Sequence, residues 1–121
     1  MITVGAYDYI DQSIYVGSGR GPAADAKAKP EIIAPGVNVE GPSPGGGYTT
    51  YVGTSVSAAI TASAVALLMQ WAILEGNLVE MNTRIARGLL IRGAARRRGV
   101  EYPNPAEGYG RLDLRKTIAM I

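Results

Sequence analysis

No stretch limits the fold of this chain more than Val56–Leu74, which carries no charged side chain and follows directly on Gly53-Thr54-Ser55. The run predicts a helix from about Thr54 to about Leu74, apolar on every side and therefore almost entirely buried. Ala58, Ala59, Ala62, Ala64 and Ala66 would let other backbone elements pack close to it. Gly76-Asn77 supplies the stop signal. A charge-free run of this length could also span a bilayer. Against that stand Ser57, Thr61, Ser63 and Gln70 inside the run, Glu75 at its end, and the lack of basic or paired aromatic anchors. The expectation is the central helix of an α/β domain, with no membrane span.

The helix start has chemistry of its own. Its first N–H groups lack intrahelical partners, and aligned peptide dipoles place partial positive charge there. Thr54 or Ser55 could cap the helix, which is the ordinary role of a hydroxyl before an apolar run. Alternatively, Ser55 is a hydroxyl presented beside free donors able to stabilise an oxyanion. Both readings stand on the local sequence.

Composition narrows the chemistry further. The chain has 121 residues, enough for one domain with a core. It has no Cys, which excludes disulfides, thiolate metal sites and a cysteine nucleophile. It also has no His, so the commonest general base and the commonest neutral metal ligand are both missing. Arg84, Arg87, Arg92, Arg96, Arg97 and Arg98 lie between Glu80 and Glu101 with no acid among them. No aromatic residue interleaves with them and no reader motif accompanies them, so they read as a solvated helix face and loop rather than a nucleic-acid site. Met1-Ile2-Thr3-Val4 has no basic leader, and Asp8 and Asp11 follow too early for an apolar leader stretch.

Taken in order, Ile2–Tyr7 reads as a buried strand, and Gly17-Ser18-Gly19-Arg20-Gly21-Pro22 as a mobile surface loop. The glycines of that loop are a weak phosphate cradle, since no strand leads into them and no helix follows. Glu31–Ala34 is a second strand, stopped by Pro35-Gly36, and Val37–Glu40 a short third. Gly41–Gly47 is a loop. Tyr48–Val52 is a fourth strand that runs straight into the serine turn. Asn82 or Thr83 caps a helix from Arg84 to about Ala94, and Leu114–Met120 forms a last short one. Tyr48, Tyr51 and Tyr109 are expected half-buried, and Trp71 is expected to anchor the long helix in the core. Strands followed by helices make the fold class α/β.

Four segments, in the same order, resemble the C-terminal part of the catalytic domain of the subtilisin-like serine proteases, the subtilases. Ile2-Thr3-Val4-Gly5-Ala6 resembles the core strand before the family's variable loop. Lys29-Pro30-Glu31-Ile32-Ile33-Ala34-Pro35-Gly36-Val37-Asn38-Val39 resembles its Lys-Pro-Asp-(Ile/Val)-x-Ala-Pro-Gly stretch. Gly53-Thr54-Ser55-Val56-Ser57-Ala58 resembles the Gly-Thr-Ser-Met-Ala motif around the nucleophile. Gly108-Tyr109-Gly110-Arg111-Leu112-Asp113 resembles the closing Gly-x-Gly turn.

The resemblance implies a subtilisin-like fold whose C-terminal portion, an incomplete domain, occupies residues 1–121. Its sheet would have few strands, mostly parallel, with a long buried helix after the nucleophile turn. It implies that Ser55 is the nucleophile and that its own N–H is an oxyanion donor, with Gly53 permitting close approach of strand to helix and Thr54 supporting the turn. The subtilisin order is Asp, His, then Ser, so the acid, the base and the side-chain oxyanion donor belong to the N-terminal part of the same domain. The implied activity is serine endopeptidase action on a peptide or protein substrate, and this chain alone is expected to be inactive. A non-catalytic, pseudoprotease-like or interaction module on the same scaffold is the alternative.

The chain departs from the family's pattern in having Ala59-Ile60 where Pro-His is usual and Ser63 where Gly is usual; together with the helix end at Gln70-Trp71, these look similar to clostridial germination-type subtilases. No cofactor is expected. Asp8, Asp11 and Asp25 could line a structural calcium site in the parent protein, but they lack EF-hand spacing and read rather as solvated loop acids. Ser43 lacks a helix behind it and is a poor rival nucleophile. Cutting such a domain would leave an open sheet edge and an apolar helix face, so the fragment is expected to self-associate.

Overall fold

The computed structural model describes residues 1–21 and 29–121. Strand β1 (Val4–Asp8) pairs in parallel with β2 (Ile32–Val37), starting at Val4↔Ile32. Ala6, Ile32, Ile33 and Ala34 have no solvent exposure, as parallel strands covered on both faces require. Pro35-Gly36 does not stop β2. Proline costs a strand only its N–H and is tolerated at bulges, and the register slips here. Tyr7 faces Pro35 while Asp8 faces Val37, which leaves Gly36 as the extra residue of a bulge.

The far side of β2 receives the closing turn. The Tyr109 N–H donates to the Glu31 carbonyl (2.7 Å), Ile33 N–H to Gly110 (2.9 Å) and Leu112 N–H to Ile33 (2.8 Å), so the turn adds a short parallel edge. Gly108, at φ 58°, lies against the carbonyls of Pro30 and Glu31, where a side chain has no room. On the outer edge of β1 both backbone groups of Ala6 are used: Tyr15 N–H donates to its carbonyl (3.0 Å), and its N–H donates to the Ser18 hydroxyl (3.0 Å). Ser18 is therefore buried and pinned, not part of a free loop. The open edge expected from the sequence is partly covered from within.

Strands β3 (Val39–Pro42) and β4 (Tyr48–Tyr51) form an antiparallel hairpin rather than extending the parallel sheet. Ser43 N–H to the Gly47 carbonyl (2.9 Å) closes its turn. Gly45, Gly46 and Gly47 all take positive φ there. Tyr48 is 74% exposed and so is not the half-buried residue expected.

Helix α1 (Thr54–Met69) continues into a π-helical turn, Gln70–Leu74. Gly53 is its N-cap and no side chain caps it; neither the Thr54 nor the Ser55 hydroxyl takes that role. The helix ends as Gly76-Asn77 predicts, with Asn77 Nδ2 donating to the Trp71 carbonyl (2.9 Å) and Gly76 at φ 77°. Within this chain α1 buries one stripe, Ser57, Thr61, Ala64 and Leu68, continued by Ala72. That spacing of three and four residues is a single helix face. The rest is open: Leu67 is 53% and Leu74 79% exposed. Trp71 is 37% exposed and its indole N–H reaches the Ile121 carbonyl, so it does not anchor the core. By length and composition Thr54–Leu74 could cross a membrane; here it packs on β1 and β2.

Helix α2 (Thr83–Gly93) is capped by Asn82, whose Oδ1 accepts the Ile85 N–H at 3.0 Å. Leu68, Ala72, Met81, Ala86 and Leu89 form the core between the two long helices. Helix α3 (Leu114–Ile118) is capped in the same way by Asp113. The six arginines from Arg84 to Arg98 are all exposed, as their sequence suggests, and several also bond the backbone. Arg92 donates to the Gly88 carbonyl, and Arg96 to those of Ile91 and Tyr109. Lys116 reaches the Ala94 carbonyl (3.3 Å). These cations occupy the carbonyl-rich end of α2, where the helix dipole favours positive charge.

Candidate active site

Two residues at the start of α1 carry hydroxyls two positions apart and meet opposite fates. Ser55 is exposed, and among the described residues its hydroxyl has no hydrogen-bond partner. The N–H groups of Thr54 and Ser55 likewise donate to nothing among the described residues, while those of Val56 and Ser57 turn back to the Gly53 carbonyl. Ser57 is fully buried, and its hydroxyl faces the carbonyls of Ala34 (2.9 Å) and Pro35 (3.1 Å) at the end of β2. The sequence therefore brings the exposed, unbonded Ser55 hydroxyl and two free N–H donors to the same helix end, the arrangement that oxyanion stabilisation needs.

The turn is held by its neighbours rather than by Thr54, whose hydroxyl makes no bond among the described residues. Gly53 adopts φ 142° and ψ 164°, a conformation that favours glycine. A Cβ there would stand 3.4 Å from the Ser55 Oγ, so the absent side chain also keeps the approach to that hydroxyl open. The Gly53 N–H donates to the carbonyl of Gly36 at 2.7 Å. The close approach of strand to helix occurs at Gly36, not at Gly53. A Cβ on Gly36 would fall 2.6 Å from Ala6 Cβ, 2.8 Å from the Gly53 carbonyl oxygen, and on top of the Ser57 hydroxyl. Neither Gly36 nor Ser57 stood out in the sequence as part of the site. The Pro-Gly interruption of a strand was the available signal, and it reads as a terminator.

Ser55 opens onto a groove of about 440 Å³ formed between the hairpin and α1, with Val39, Pro42, Tyr51, Val56, Ala59, Ile60 and Ser63 in its walls. The walls are mainly apolar, as in most ligand sites. Ala59, Ile60 and Ser63, the three departures from the family pattern, all face this groove. Ser43 sits in the hairpin turn with its hydroxyl against the Pro44 carbonyl, and no helix follows it directly.

Two of the three loop carboxylates considered for calcium are engaged locally. Asp8 accepts the Ile10 N–H (2.9 Å), and Asp11 accepts the N–H and hydroxyl of Ser13 (2.8 and 2.6 Å). The Ser13 bonds hold the Asp11 carboxyl below its ordinary pKa. Asp25 lies outside the described residues. Among the described residues no three metal-ligating side chains gather.

Two buried carboxylates organise the scaffold behind the site. Glu31, with no solvent exposure, pairs with Lys29 (2.7 Å) and with Arg87 from α2. Burial pushes its carboxyl up. The Lys29 hydrogen bond, the Thr3 N–H and the Arg87 charge outweigh this, and its pKa lies below the ordinary value. Glu107 pairs with Arg97 at 2.5 Å and lies 3.6 Å from Arg111, whose guanidinium stacks on the Tyr7 ring at 4.5 Å. Arg111 also donates to the Gln12 carbonyl (2.9 Å), tying the closing turn to the far end of β1.

A sequence model of the subtilase family, peptidase S8, matches residues 1–110. The chain belongs to the subtilase family. Its fold is the subtilisin-like one seen in solved proteases. This subtilase segment is 34% identical to the CspB protease of Clostridium perfringens, with a TM-score of 0.93 over 99% of the chain. It is 26% identical to the prenylagaramide maturation protease PagA (TM-score 0.79, 98% of the chain). It is 27% identical to the patellamide maturation protease PatA (TM-score 0.76, 97% of the chain). The segment spans 26% of the CspB chain, 42% of PagA and 41% of PatA. A comparison with curated proteins finds no match.

Proposed function

We propose that this chain is the C-terminal segment of a subtilase catalytic domain and supplies the nucleophile, Ser55, of a serine endopeptidase. The observation that carries this is the contrast between the free Ser55 hydroxyl, beside the unengaged N–H groups of Thr54 and Ser55, and the Ser57 hydroxyl fixed on β2. A serine hydroxyl is a weak nucleophile without an adjacent base, and this chain has no His. The proton acceptor and its orienting carboxylate come, on this reading, from the N-terminal part of the same domain, and the apolar groove beside Ser55 adjoins them. Attack by Ser55 Oγ on a peptide carbonyl would pass its proton to that base and leave the oxyanion against the Ser55 N–H.

A fluorophosphonate probe tests this. It should label Ser55 in the protein that contains both parts of the domain, and lose that label with Ser55→Ala. The isolated chain should stay unlabelled. Strong labelling of the isolated chain would refute the division of roles. No labelling of the complete domain would favour a non-catalytic module on the subtilase scaffold.

A further inference from the structure

We infer that Ser57 is a positioning residue for Ser55, through a clamp that holds the nucleophile turn at two points on the same strand. This rests on the assignment of Ser55 as the nucleophile. Two residues before Ser55, the Gly53 N–H donates to the Gly36 carbonyl at 2.7 Å. Two residues after it, the Ser57 hydroxyl donates to the Ala34 carbonyl at 2.9 Å, with the Pro35 carbonyl at 3.1 Å. The acceptors are three consecutive residues of β2. The Gly36 bulge takes that residue out of the ladder, and its carbonyl accepts from the turn instead.

The anchorage is well buried. Ser57 has no solvent exposure, and Ala34, on the strand, has none either. Bonds so enclosed exchange poorly with water, and a serine bracketed by them loses freedom at its Cα without any contact to its own hydroxyl. Ordinary capping would have spent the Thr54 or Ser55 hydroxyl on the helix end, but no side chain caps α1. The clamp fixes the turn from residues 53 and 57 and leaves Ser55 free to react. The family motif quoted above has Ala at the position of Ser57, which cannot make the second bond.

The test uses the protein carrying the complete catalytic domain, with fluorophosphonate acylation followed across probe concentration so that maximal rate and half-saturation separate. Ser57→Ala should lower the maximal acylation rate about tenfold and leave half-saturation unchanged, the pattern of a misplaced nucleophile rather than a damaged binding surface. Thr117→Val is the control. It deletes another fully buried hydroxyl, bonded to the Asp113 carbonyl at 2.8 Å and remote from Ser55. It should lower the melting temperature and leave acylation alone. An unchanged maximal rate in Ser57→Ala, with wild-type labelling intact, would overturn the positioning role while sparing the nucleophile assignment. An unlabelled wild type would overturn both.

Discussion

The Glu31 ion cluster offers a quantitative test of how this scaffold is held. The carboxylate has no solvent exposure, whereas the side chains of Lys29 and Arg87 are 42% and 45% exposed. The cost of losing partners is therefore steeply non-additive. Lys29→Met or Arg87→Met alone leaves one cation on the carboxylate and should cost about 1 kcal/mol or less, as for a partly exposed pair. Removing both strands a buried charge beside only the Thr3 N–H, and the cost should rise to about 3 kcal/mol, the lower end for a broken buried pair. Adding Glu31→Gln to the double variant should restore most of that loss, because no charge remains to be desolvated.

The pH dependence supplies the sign. In the native chain the folded pKa of Glu31 is depressed. Its contribution is complete above the ordinary value of 4.5 and disappears as pH falls through the lower folded value. With both cations gone, burial outweighs the remaining Thr3 N–H bond and raises the pKa. Stability should then fall as pH climbs past the ordinary value. Urea midpoints measured between about pH 3 and pH 7 for all five proteins decide it. A double variant whose midpoint still climbs with pH across this window would refute the reasoning.

Two further outcomes follow from packing. Gly36→Ala forces a Cβ to 2.6 Å from Ala6 and 2.8 Å from the Gly53 carbonyl, and should destabilise the chain by about 2–3 kcal/mol in urea unfolding; a change under about 0.5 kcal/mol would mean the turn yields easily. The isolated chain should associate in solution, because Leu67 and Leu74 are 53% and 79% exposed on α1 and apolar patches of this kind seek cover. Light scattering that shows a monodisperse monomer would contradict this.

What the sequence revealed was local chemistry, and what it concealed was the third dimension. Asn82 and Asp113 could be read as caps because a cap's partner lies three residues away. The end of α1 was equally readable from Gly76-Asn77. The start of α1 misled, since Thr54 and Ser55 have the residue types of caps while the backbone puts Gly53 in that place. The Pro35-Gly36 interruption misled for the opposite reason. Its meaning depends on β1 and on Ser57, a strand and a helix away. The direction of the β3–β4 hairpin followed from neither composition nor alternation. The exposed arginine face was legible, but the pairing of Arg87 with Glu31 was not, because the two lie 56 residues apart, beyond any local pattern. The uniform apolarity of α1 predicted burial on all sides, yet these residues supply cover for only one.

The contact between Gly36 and Ser57 also bears on descent. A methyl group at position 36 would compete with the Ser57 hydroxyl, the Ala6 side chain and the Gly53 carbonyl for the same few cubic ångströms, so position 36 is the constrained partner and position 57 can shrink alone. In lineages of this domain position 36 should therefore stay glycine whether a hydroxyl or a methyl stands at 57, because Ala6 and the Gly53 carbonyl close that space in either case.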